Sequence, residues 1–70
     1  MEALTSESIK KMKRDDVVPY YVDMIKQDAA TGEFGSEECK RINNLIIDRW
    51  SVAALIYIKE KAWKQLPQLH

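Results

Sequence analysis

The sequence predicts an all-α fold: a small bundle of three main helices, over about 17–31, 37–50 and 52–66, with a short N-terminal helix over about 6–14. Three observations carry this. Apolar residues recur at three- and four-residue spacing along most of the chain. Capping residues and glycine or proline stops fall at the ends of those stretches. The composition, 46% hydrophobic and 31% charged, is that of a folded chain rather than a disordered one. Seventy residues make a single domain, 1–70, with residues 1–5 and 67–70 expected to be loose at its ends.

In the first element, Thr5 or Ser6 is placed to cap "SESIKKMKR". Glu7 falls near the start and Lys11, Lys13 and Arg14 towards the end, the charge order that suits a helix dipole. The second element, "DDVVPYYVDMIKQDAATG", takes its N-cap from Asp15 or Asp16. Pro19 sits in the first turn, where a missing amide hydrogen costs little, and Gly32 is the stop. Val18, Tyr21, Val22, Ile25 and Ala29 make its apolar stripe. "TGEFGS" is a turn, and Phe34 between its glycines is expected to fold back and plug the end of the bundle.

Ser36 caps the third element, with Glu37 and Glu38 in the first turn, and Cys39, Ile42, Leu45, Ile46 and Trp50 form its stripe. The fourth carries Leu55, Ile58, Ala62 and Leu66 and ends before Pro67. No glycine or proline separates these two. Their stripes point roughly 150° apart if the chain advances about 100° per residue, so one unbroken helix would carry apolar surface on opposite sides. A break near Asp48–Ser51, with Ser51 as the new N-cap, lets both stripes face one core.

A chain this short buries only a modest core, leaving a margin of roughly 3–5 kcal/mol unless something supplements it. A disulfide within the chain is excluded because Cys39 is the only cysteine. A metal is not expected, since His70 is the only histidine and Cys39 has no companion ligand. That raises self-association or docking on another protein. The net charge is zero, but its distribution is uneven: +2 over residues 1–14, −6 over 15–38 and +4 over 39–70. The pattern suits charge matching between adjacent helices. No stretch has the apolar core of a signal peptide or the length of a membrane span, and with no cysteine pairs the chain is expected to be intracellular, in cytoplasm or nucleus, with no membrane partner.

Catalysis is not expected, and no cofactor is implied. A nucleophile needs an adjacent base, and no histidine lies near Cys39 in sequence; Cys39 falls on an apolar stripe, where cysteine behaves as a small hydrophobe. The pairs Asp15–Asp16 and Glu37–Glu38 lie where helices want caps and negative charge. No glycine-rich phosphate loop is present.

Two interaction readings remain. The basic clusters Lys10, Lys11, Lys13, Arg14 and Lys59, Lys61, Lys64 around Trp63 could meet phosphates, with the indole stacking on an unpaired base. Against sequence-specific DNA reading, the N-terminal end of the last helix, "SVAALIYI", offers almost no groups to read base edges. The alternative is protein–protein contact. Val52, Ile56 and Trp63 lie on one flank of the last helix and Tyr57 on its other side, all beyond the stripe the core needs. In a three-helix chain no helix is surrounded by its own neighbours, so such a helix calls for a covering partner, another protein or a second copy. The expected contact residues are Val52, Ile56, Tyr57 and Trp63, with Lys59 and Lys64 on the rim.

One local stretch, "KRINNLIIDRWS" (Lys40 to Ser51), resembles the last helix of the small helical domain at the N-terminus of the transcription elongation factor TFIIS and its relatives. The resemblance implies a helical domain that binds short motifs of other transcription factors. It covers twelve of 70 residues; this chain continues helically past Trp50 and lacks the glycine-containing element expected upstream, so no family is assigned on it.

Overall fold

The structure, a computed structural model, describes residues 2–67, so the expectations for Met1, the last three residues and His70 lie outside it. Helix α1 (Ser6–Lys10) leads through a 3₁₀ turn (Arg14–Val17) into α2 (Val18–Thr31); α3 (Glu37–Arg49) and α4 (Val52–Gln65) follow. The described residues contain no strand, and the all-α expectation holds with it. Each of the three long helices packs on the other two, α2 most extensively on α4.

The N-terminal part differs from expectation in three ways. The first helix is five residues long, because Thr5 and Ser8 close a reciprocal cap at its start and the chain leaves helical geometry at Lys11. Neither Asp15 nor Asp16 caps α2. Asp16 accepts the Lys13 amide at 2.9 Å and fixes the 3₁₀ turn, while Asp15 accepts the Tyr57 hydroxyl at 2.6 Å. The turn runs straight into α2 through Val17, whose side chain does no capping, and Pro19 falls in the first turn as expected. Nor is the opening segment loose at Leu4, which is 1% exposed; the Arg41 guanidinium donates to its carbonyl while gripping Glu38 with two further nitrogens. That grip holds the Glu38 carboxyl below the usual carboxylate range.

The break between α3 and α4 is where the two stripes require it. The Trp50 amide still donates to Ile46, but Ser51 is fully extended, and its hydroxyl accepts the Ala54 amide at 3.2 Å. Ile42 and Ile46 of α3 then share one core with Leu55, Ile58 and Ala62 of α4. Ser36 caps α3 in the same manner, accepting the Cys39 amide. Gly32 ends α2 in the left-handed region at φ 74°, which a residue without Cβ adopts without strain.

Helix α2 is rolled relative to its expected stripe. The residues buried on it are Val18, Tyr21, Met24, Ile25 and Asp28, whereas Val22 is half-buried and Ala29 exposed. The centre of the buried arc lies about 50° round the helix from the expected one. The roll carries Tyr21 into the interior against α3. There its hydroxyl donates to Asn43 Oδ1 at 2.9 Å, as a buried phenol needs, and burial pushes its pKa well above the ordinary tyrosine value. Direct charge matching between helices is absent among the described residues: both ion pairs, Lys40–Glu37 and Arg41–Glu38, are local to α3.

Candidate functional site

Helix α4 presents two apolar faces. Ala54, Leu55, Ile58 and Ala62 are its buried face. Val52, Ile56 and Trp63 lie to one side of it, and despite their size they are 57%, 53% and 54% exposed. Successive 100° steps put these three within about 40° of one another, in a strip some 16 Å long. Lys59 and Lys64, expected as rim, are exposed; with Glu60 they border a shallow hollow that Ile56 and Trp63 also line.

The strip does not end at Trp63. The indole lines an open groove of about 680 Å³ between the C-terminal halves of α2 and α4, shared with Ala29, Ala30, Phe34 and Leu66 and bordered by Lys26. The roll of α2 opens this groove, since it turns Ala29 outward beside the exposed Ala30, where larger side chains would fill the space. Phe34 does not plug the bundle end. It is 66% exposed, the most exposed large apolar side chain, because Gly32 and Gly35, both at positive φ, carry the turn out past the end of α2. The four exposed large hydrophobics among the described residues thus fall on one connected surface, of which the sequence reading found the α4 half and missed Ala29, Ala30, Phe34 and Lys26. A large aromatic between two glycines was the available signal.

Tyr57 is placed differently from the other expected contact residues. It is half-buried on the opposite flank of α4, its hydroxyl held by Asp15 and its ring covered by the Arg14 guanidinium 3.6 Å from the centroid. The bond to Asp15 pushes its pKa above the ordinary tyrosine value. Tyr57 is therefore occupied in tying the 3₁₀ turn to α4.

The basic residues of the second reading are only partly gathered. Arg14 and Lys61 share the Tyr57 ring, with Lys61 Nζ 5.5 Å from its centroid, but Asp15 and Asp16 stand among them. Lys10, Lys11 and Lys13 are exposed on the preceding segment. Lys61 and Trp63 lie about 160° apart round α4, so the indole does not stand over that cluster. A smaller hollow of about 140 Å³ on another face of α2 is lined by Glu2, Asp23 and Glu38 among others.

No helix among the described residues is long and apolar enough to cross a membrane, and no group of three or more His, Cys, Asp or Glu side chains there is arranged to hold a metal ion. Cys39 is half-buried, its sulfur 3.7 Å from the Asn43 amide nitrogen. Compared with known proteins, the chain matches no family model, no curated relative and no solved structure.

Proposed function

We propose that this chain is a non-catalytic, intracellular protein–protein interaction module that docks through the outer flank of α4. The observation that carries the reading is the grouping of the four large exposed hydrophobic side chains among the described residues, Phe34, Val52, Ile56 and Trp63, on one connected surface. Scattered single apolar residues on a surface need no explanation; a connected set with an aromatic at its centre is what interfaces are built from. Ile56 and Val52 could have been polar at little cost to the bundle, because neither belongs to its buried core. The contact residues are Val52, Ile56 and Trp63, with Phe34 added and Lys59 and Lys64 at the rim; Tyr57 serves the fold instead.

The test is site-specific photo-cross-linking in cells that make the protein. A photoreactive phenylalanine analogue at Ile56 gives a discrete adduct that Trp63→Ala abolishes, while the same analogue at exposed Asn44 on α3 gives none. An Ile56 pattern indistinguishable from that of Asn44 overturns the reading.

A further inference from the structure

We infer that the occupant of the Phe34–Trp63 groove is an acidic amphipathic helix of another protein, an inference that rests on the interaction reading above. Charge selects among the possible occupants. The groove and the hollow beside it are bordered by Lys26, Lys59 and Lys64, all exposed, with Glu60 the one acid among their lining residues. None of the three lysines is within ion-pair reach of a carboxylate among the described residues. One lysine at the groove and two beside Glu60 at the adjoining hollow leave a net positive border to an apolar floor, which is complementary to a segment with apolar anchors and acidic flanks.

A second copy of the chain fits this surface poorly. Twofold pairing of the strip on itself would bring the same lysine-bordered patch against its image. Pairing the groove with the acidic hollow lined by Glu2, Asp23 and Glu38 would be head-to-tail, and such contacts make rings or open filaments rather than a closed pair. The shape favours a helix as well. Val52, Ile56 and Trp63 span about three helical turns, so a helix lying along them meets the strip with anchors at three- and four-residue spacing and sets one large side chain between Phe34 and Trp63 over the two alanines.

The experiment uses the whole chain and two synthetic peptides, each about four turns long. They have identical leucine and phenylalanine anchors on one face and differ only in carrying glutamate or lysine on the flanks. Binding is followed by tryptophan fluorescence and by calorimetry at low and high salt. The acidic peptide is expected to bind about tenfold tighter than the basic one at low salt, with the gap narrowing as salt screens the rim. The double variant Lys59→Glu, Lys64→Glu inverts the preference, and Trp63→Ala weakens the acidic peptide about tenfold or more. All three positions are exposed, so these variants keep the fold.

Equal affinity for the two peptides, or preference for the basic one, overturns the acidic-partner inference while the Ile56 adduct keeps the interaction surface standing. Binding of neither peptide, with an Ile56 adduct of twice the chain's mass, replaces the partner with a second copy. Tighter binding of a single-stranded oligonucleotide than of the acidic peptide, lost in Trp63→Ala, assigns the surface to nucleic acid instead. Binding of neither peptide and no Ile56 adduct removes both the inference and the reading beneath it.

Discussion

The two apolar sides of α4 have nearly the same chemistry and opposite situations. Ala54, Leu55, Ile58 and Ala62 face α2 and α3, and Ile58 and Ala62 are wholly shielded from water. Val52, Ile56 and Trp63, on the same fourteen-residue helix, keep more than half of their surface in solvent. Stability accounts for the first set fully and for the second only in part. Burial of a large aliphatic side chain is worth about 1.5–3 kcal/mol, and a half-exposed one recovers only part of that. The lesson is that an apolar residue in a small bundle has two separable reasons to be there, and their ratio can be read position by position.

The largest effect should come from the inner face. Ile58→Ala removes a fully buried side chain and leaves a cavity, at an expected cost of about 2–5 kcal/mol. Against the roughly 3–5 kcal/mol available to a chain of this size, that unfolds the domain or brings it to the edge. Urea denaturation followed by circular dichroism measures it. A loss under about 1 kcal/mol would mean that the core repacks freely round α4, and the contrast between its faces would weaken.

The inner face was also the legible one. Helical spacing identified Ile42 and Ile46 on α3 and Leu55, Ile58 and Ala62 on α4, and the geometric conflict between the two stripes located the break at Ser51. Spacing failed on α2 for a physical reason. Asp28 reads as a surface residue, so the stripe was centred on Val22 and Ala29, but Asp28 is 5% exposed and the helix is rolled towards it. That misplacement hid the groove, because Ala29, one of the two alanines that open it, was counted as core. Leu4 was missed because it joins a core built by residues far along the chain, and its carbonyl is held by Arg41, contacts no local pattern encodes. Charge blocks misled in the same way: among the described residues, opposite signs in neighbouring segments made no direct ion pairs between helices.

An intermediate effect is expected at the cap that begins α4. Ser51→Ala deprives the Ala54 amide of its partner and should cost about 1 kcal/mol, within a range of about 0.5–2 for such caps. Because the cap sets where α4 starts, its loss frays the turn carrying Val52 before it disturbs Ile58 near the middle of the helix. Amide hydrogen exchange resolves this: faster exchange confined to the first turn of α4 fits the cap role. Uniform acceleration along the helix would mean that Ser51 supports the fold as a whole, so that the outer strip could not be loosened separately from the core.

The smallest effect on stability is expected from Trp63→Ala, and it decides most about the comparison. With 54% of the residue in solvent and only Ile25 and Leu66 sheltered among its neighbours in the groove, truncation should shift the unfolding free energy by no more than about 0.5 kcal/mol, as for other surface sites. Thermal unfolding of the isolated chain beside wild type is the measurement. A side chain that costs nothing to remove from the free protein is not there for folding, and the proposed docking is one role that uses an exposed indole. If Trp63→Ala instead costs more than about 1 kcal/mol, the indole is covering the ends of α2 and α4 against water, and the outer strip becomes an extension of the core. The same substitution therefore separates the two reasons an apolar residue can have for being on α4: unchanged stability with lost binding assigns Trp63 to an interface, and lost stability assigns it to the fold.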